Sequence, residues 1–465
     1  MVRVATILAV TSALALGNTA WAQQGQVLTT QNEIGGVYEG EFKGGLQHGT
    51  GTYRLPNGFE YTGAWDQGEI KGRGVARYPN GSVYEGEFDN GRAHGTGLMI
   101  YSDGSAYEGD WVEGVSTGHG INIFSNGVRY EGQFLDGKPH GKGIMQSPGG
   151  YEYNGDWVAG KEEGQASITY ADGSTYVGGI SNRKRHGEGK LTYPDGLTYE
   201  GFFADGQISG DGTLTQANGD VYVGPLVAGR REGVGRQVYA NGDIYEGDFQ
   251  DDLRHGQGTF TGSDGYVYSG TWLAGQIGGE GTITYPDGSV YVGQVRDDLP
   301  DGTGKVTYPD GSSFEGDWVA GVIEGSGTAV YANGIVYKGE FRGAQYHGTG
   351  VITYTDGYRY EGGWVEGQRH GQGVATYADG SVYTGSFANG QRQGQGEIVM
   401  ANGFRYVGNW DQAEISGQGV ATYANGDVYE GMFRNGKRQG EGTMRYATGQ
   451  EDTGTWDNGA LTDGS

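Results

Sequence analysis

Glycine and an aromatic ring return at fixed places every 23 residues. From Tyr38 to Glu451 the chain divides into eighteen such repeats with no insertion or deletion. Numbered from its first tyrosine, a repeat reads Y-x-G-x-(F/W)-x-x-G-x-x-x-G-x-G-x-x-x-Y-x-(N/D)-G-x-x. The third copy, YEGEFDNGRAHGTGLMIYSDGSA, runs from Tyr84 to Ala106. Position 1 is Tyr in every copy but one (Phe314). Positions 3, 12 and 21 are always glycine, and position 14 is glycine except at Ala166. A short, constant period marks a stack of supersecondary units that bury their apolar faces against one another.

Side chains alternate faces along a strand. Positions 1, 3 and 5 therefore put Tyr, Gly and Phe or Trp on one face, with residues such as Glu85 and Glu87 on the other. In a second strand, Gly279, Gly281, Ile283 and Tyr285 share a face, opposite Glu280, Thr282 and Thr284. Asn-Gly or Asp-Gly at positions 20–21, as at Asn80-Gly81 and Asp287-Gly288, predicts a tight positive-φ turn into the next repeat. Positions 6–11 read as a longer loop. The expected fold is all-β: an elongated, single-layer antiparallel β-meander or solenoid of stacked 23-residue hairpins, shaped as a twisted trough or rod. Glycines at positions 3, 12 and 14 are expected to form a floor on which the rings lie, each ring burying about 150–250 Å².

Composition supports an ordered chain. Glycine at 98 of 465 residues would suggest low complexity, but aromatics make up 12 % and include 34 tyrosines, which disordered chains lack. Residues 1–22 read as a signal peptide: Arg3, the apolar run ATILAVTSALAL, then Ala20-Trp21-Ala22. Cleavage is expected after Ala22, with export to the periplasm, outer envelope or extracellular space. Residues 23–37 form an N-terminal lead-in, 38–451 the repeats, and 452–465 a truncated copy. There is no cysteine, which removes disulfides, thiolate catalysis and zinc-thiolate sites. A formal net charge of −26 repels phosphate backbones and anionic headgroups, so the expected partners exclude nucleic acid and disfavour anionic membranes.

A longer rhythm overlies the repeat. Tryptophan takes position 5 at 65, 111 and 157, then at 272, 318, 364, 410 and 456. Steps within each set are two repeats, and the phase slips once between them. Around the slip Ile180, Leu226 and Val295 replace the ring at position 5, and Pro225 sits inside a strand. Pro removes a ladder donor, so a bend or weak point is expected around Tyr222 to Tyr239.

The motif Y-E-G-x-(F/W)-x-x-G-x-x-x-G-x-G resembles the MORN repeat (membrane occupation and recognition nexus). The resemblance implies elongated, twisted hairpin arrays with an aromatic-lined groove. It also implies scaffolding, dimerisation, and attachment of partners at membranes or cytoskeleton. Some plant phosphatidylinositol-phosphate kinases carry these repeats before a kinase domain, for which this chain has no room.

No enzyme is expected: H-E-x-x-H and the P-loop are missing, and G-x-G recurs only through the period. No cofactor or metal site is expected either. Seven of eight histidines precede the glycine at position 12, among them His48, His94, His140 and His186. Spaced by two repeats, roughly 19 Å, these four cannot share one ion. They read as loop-end residues supporting turns. The acidic stretches Gln250–Arg254 and Arg296–Asp301 read as solvated loops. The best binding candidate is the aromatic face: Tyr38, Trp65, Tyr84, Phe88, Tyr107, Trp111, Trp157, Trp272, Trp318, Trp364, Trp410 and Trp456. The resulting expectation is a non-enzymatic exported scaffold that binds protein partners through an aromatic/glycine trough, or pairs with a second copy (a homodimer) through its C-terminal edge. Glycan binding by ring stacking and membrane-surface binding are the alternatives.

Overall fold

In the computed structural model residues 27–464 are described, and every regular element among them is a β-strand. The signal-peptide reading, the cleavage point and the lead-in as far as Gln26 lie outside the described residues. Two compact units divide between Gln207 and Ile208.

The N-terminal unit opens with Val27–Gln31 paired to Val37–Lys43, followed by Leu46–Arg54 and Glu60–Asp66, each antiparallel to the last. The Asn32–Gly36 loop closes with the same bonds as the inter-repeat loops, Asn32 N–H to the Gly36 carbonyl at 2.8 Å and Gly35 N–H to the Asn32 carbonyl at 3.0 Å. The described part of the lead-in is therefore the second strand of an incomplete repeat. In the C-terminal unit, Val267–Leu273 pairs with Leu253–Thr261 on one side and Gln276–Thr284 on the other. The final pair is Glu451–Asp457 with Ala460–Gly464.

The two loops are the reverse of the sequence expectation. The tight turn is at positions 7–8: Asn90 (φ 48°) and Gly91 (φ 74°) are both left-handed, and Asp89 faces Arg92 across a two-residue hairpin. That is the geometry whose twist suits a hairpin. The Asn/Asp-Gly pair at positions 20–21 sits instead in a wider loop. There Tyr101 N–H reaches the Ser105 carbonyl, Gly104 N–H returns to the Tyr101 carbonyl, and Gly104 has a positive φ while Asp103 does not. Asp103 serves that loop by accepting from the Ser105 amide at 2.9 Å. Five repeats lack glycine at position 8, and Arg183, Asp252, Asp298, Ala344 and Ala413 hold φ between 60° and 69° there.

A β-bulge explains the glycine at position 12. Gly86 faces Gly97, but Phe88 faces Ala93, so His94, Gly95 and Thr96 together stand opposite Glu87. Gly95 has φ 61°, and a Cβ there would strike the Glu87 side chain rather than a ring. The expected floor role holds for positions 3 and 14 and fails for 12. A Cβ on Gly86 would lie 2.5 Å from Tyr84 Oη and from the Gly97 Cα, closer than real Cβ atoms come. Position 4 repairs the bulge. Asp110, Asp156, Asp248 and Asp317 accept the backbone N–H of position 13 at 2.8–2.9 Å.

The weak point is visible as a broken strand. Where other repeats have one nine-residue strand, Arg230–Arg231 and Gly233–Val238 are separated at Glu232. The ladder opposite Pro225 lapses between Val223↔Arg236 and Leu226↔Arg231. Arg231 bridges the gap, with Nη2 to the Asp252 carbonyl at 2.6 Å and Nη1 to Gln237 Oε1 at 3.1 Å.

The core is a zigzag of perpendicular rings. Each position-1 tyrosine meets the position-5 ring of its own repeat and that of the next. Tyr84 lies 5.0 Å from Phe88 and 5.3 Å from Trp111, and Tyr107 lies 5.1 Å from Trp111 and 4.8 Å from Phe134. Edge-to-face pairs add about 0.5–1.5 kcal/mol each beyond area burial. The polar tips are also satisfied: Tyr84 Oη donates to the Glu87 carbonyl at 3.0 Å, and Trp111 Nε1 to the Gly97 carbonyl at 3.1 Å. Position 10 caps the row. Arg254 stacks 4.1 Å from the Trp272 ring while its Nη2 donates to the Gly275 carbonyl of the following turn. At Ile180, Leu226 and Val295 an aliphatic side chain takes the ring's buried place, so the aromatic contacts skip there while burial continues.

Candidate functional site

All twelve aromatic residues singled out from the sequence belong to this core, with exposures from 0 to 8 %. The rings share one face, as parity requires, but they are packed on one another and capped. A ligand stacking on them would have to displace that packing. Burial also pushes the phenols up, Tyr61 and Tyr291 to about 12.

A groove lies in the C-terminal unit on the opposite face. Its lining runs from Glu280 to Gly362 and encloses about 1060 Å³. Because the missing Cβ of positions 3 and 14 would point toward the rings, the groove side of Gly304, Gly316, Gly327 and Gly339 is bare backbone. Positions 2, 4, 13 and 15 make its walls: Glu315, Lys338, Glu340, Ser326 and Thr328 among them. The walls are partly committed. Lys305 Nζ and Glu315 Oε2 stand 3.4 Å apart, and hydrogen bonds from the Thr349 hydroxyl and amide hold Glu340 below the usual carboxylate range. Alternation of residue types shows a polar face but not that this face is hollow, so the groove was missed from sequence.

A second set of rings, at positions 18 and 22, is half-buried or exposed beside the inter-repeat loops. Tyr101, Tyr308 and Tyr331 are 38–41 % exposed. Tyr358 touches Tyr354 at 5.4 Å and Tyr377 at 5.5 Å.

Two of the histidines support turns. His48 Nδ1 faces Asp66 at 3.3 Å, and His140 Nδ1 accepts from the Ala159 amide at 3.5 Å. Glu163 and Glu324 do the same work at the same position, accepting from Asn182 and Gly343 at 2.9 and 2.7 Å. Among the described residues no group of three or more His, Cys, Asp or Glu converges to hold a metal. The acidic stretches tie neighbouring repeats together, Asp298 accepting the Ile277 amide and Asp252 the Arg231 amide, while Arg296 pairs with Asp301 within its own repeat.

The family model described as MORN repeat matches eighteen segments, from 38–59 and 61–83 through to 406–428 and 429–451. The chain belongs to the MORN repeat family. No curated protein matches it. Among solved structures, this MORN chain is similar at 16 % identity to the SAS-4 (dCPAP) TCP domain of Drosophila melanogaster, solved with a proline-rich motif of Ana2, over 33 % of this chain and 84 % of that one, TM-score 0.23. The TCP10 domain of Danio rerio CPAP matches at 14 %, over 48 % and 98 %, TM-score 0.18. A streptogramin B lyase matches at 13 %, over 64 % and 93 %, TM-score 0.11. TM-scores this low establish no shared fold.

Proposed function

We propose that this MORN chain is a non-enzymatic scaffold that holds a protein partner along the polar-face groove of its C-terminal unit. The observation that carries this reading is the groove itself: about 1060 Å³ over bare glycine backbone, with hydroxyls, carboxylates and lysines on its walls. Such a floor admits close approach of another backbone, and the walls offer polar partners along several repeats. The family's generally non-catalytic character and its repeat architecture support a scaffold. The leader-like residues 1–22 support export, with cleavage after Ala22 leaving Gln23 first.

Photo-crosslinking from Thr328 in native cells tests the binding reading. One partner should be captured repeatedly at Thr328 and lost when Thr303→Trp, elsewhere in the lining, fills the groove. Equal capture from a ring-face position, or no loss on filling, overturns it. Mass spectrometry of the mature N-terminus tests export: Gln23 is expected, and a retained Met1 would refute it.

A further inference from the structure

The loop edge of the C-terminal unit carries a row of tyrosines outside the buried ring row; one of them, Tyr331, shares a hydroxyl–hydroxyl hydrogen bond with Tyr346. Position 18 is Tyr in five consecutive repeats: Tyr285, Tyr308, Tyr331, Tyr354 and Tyr377. Their loops are equivalent, since each tyrosine amide donates to the position-22 carbonyl at 2.8 Å. Equivalent residues of consecutive hairpins are two strand spacings apart, roughly 9–10 Å. Tyr308 and Tyr331 are 40 and 41 % exposed, and the others are half-buried. Exposed carboxylates stand beside the rings at position 20, as Asp287, Asp310, Asp356 and Asp379. A cleft of about 560 Å³ lies beside the touching rings of Tyr358 and Tyr377, with Asp356 and Asp379 in its lining. The guanidinium inside it, Arg392, is already committed to the Trp410 ring at 4.2 Å and the Ala413 carbonyl at 2.7 Å.

We propose that this tyrosine edge binds basic, proline-rich peptide segments in the polyproline II conformation. A polyproline II helix completes a turn every three residues at ~3.1 Å each, roughly 9 Å, so one turn matches one repeat. Prolines pack on the exposed faces of these rings, at little entropic cost because the helix is preformed. The aspartates and the net charge of −26 select arginine or lysine at the intervening residues. This surface lies on a different part of the repeat from the polar groove, and the inference stands without the groove reading.

The test is fluorescence polarisation with a labelled peptide of repeated Arg-Pro-Pro triplets and a matched peptide of Arg-Gly-Ser triplets. The intact chain should bind the proline peptide at least about tenfold more tightly. Tyr308→Ala with Tyr354→Ala should weaken binding at least about tenfold, while Tyr308→Phe with Tyr354→Phe retains it. Asp310→Asn with Asp356→Asn keeps the loop acceptors, so the fold is preserved; these changes should lower both affinity and its salt dependence. Thr328→Trp, in the groove, should change nothing. Equal affinity for the two peptides, unchanged binding by the alanine pair, loss with Thr328→Trp, or retention of insoluble β-glucan in place of the peptide would each overturn the proposal.

Discussion

Replacing Gly120 with alanine tests the packing of rings on glycine at a single atom. The new Cβ would lie 2.5 Å from Tyr107 Oη and 2.7 Å from its Cε2 and Cζ, inside any real carbon contact. The ring cannot easily yield. Trp111 and Phe134 hold its sides edge-on at 5.1 and 4.8 Å, and Oη is fixed to the Asp110 carbonyl at 3.1 Å. Overpacking of this kind costs about 1–3 kcal/mol, and losing the phenol bond adds about 0.5–1.5 kcal/mol, so the substitution should cost about 1.5–4.5 kcal/mol. The chain contains its own control. Ala166 occupies the same position, yet Tyr153 beneath it stays fully buried and bonded to the Asp156 carbonyl at 2.7 Å. There the next position-5 residue is Ile180, not a ring. Gly120→Ala made together with Phe134→Ile should therefore cost at least about 1 kcal/mol less than the single changes sum to. Because repeat arrays open locally, the assay is native-state hydrogen exchange of amides from Tyr107 to Ile123. A change within about 0.5 kcal/mol for Gly120→Ala, or strict additivity with Phe134→Ile, would refute the reasoning.

Ala413→Gly should stabilise the C-terminal unit by about 1 kcal/mol, because Ala413 holds a left-handed φ of 69° that costs a side-chain-bearing residue about that much; denaturation midpoints measure it. Phe314→Tyr should add about 0.5–1.5 kcal/mol by donating to the Asp317 carbonyl, as Tyr337 does to Glu340 at 3.0 Å; the check is local exchange protection around Asp317. Acid should loosen the inter-repeat loops. Asp103, Asp172 and Asp310 are held below the ordinary carboxylate range by the hydroxyl and amide of the serine two residues on. Their stabilisation is complete above the unfolded carboxylate pKa near 4 and is lost as pH falls through the lowered native values. Exchange at the Ser105 and Ser312 amides should rise over that window beyond the intrinsic rate, and the Asp310→Asn loop should not respond.

Much of the fold was legible because a period of two cannot be mistaken when an aromatic ring and glycine hold it for eighteen copies. The placement of Tyr84, Gly86 and Phe88 on one face follows from that alternation alone. The turns were not legible for a physical reason. Asn80-Gly81 and Asn90-Gly91 are the same dipeptide, and nothing local says which one is flanked by residues that face each other. Position 7 gave no signal either, since Ala159 and Ala320 are forced left-handed by the hairpin and not by their own preference. The bulge hid behind parity: two extra residues in one strand leave the alternation intact, so Gly95 looked like Gly97. Its trace was the side-chain acceptor that many repeats carry at position 4, as at Asp110 and Asp156, eight residues before the position-12 glycine. For the site, sequence identified the rings but not their exposure. A ring row needs a lid, and the lid is made by position 10, whose residues range from Ile277 to Arg254 to Tyr346 and so carry no motif.

The separation of the two faces can be measured directly, because the chain has no cysteine of its own. Thr328 lines the polar groove, and its neighbour Ala329 is on the ring face at 8 % exposure. Single-cysteine variants Thr328→Cys and Ala329→Cys should react with a small thiol reagent at rates differing by about a hundredfold or more, the faster being position 328, since the other must wait for local opening at a cost of about 3 kcal/mol. Equal rates, or a faster reaction at position 329, would contradict a buried ring face backed by an open polar one.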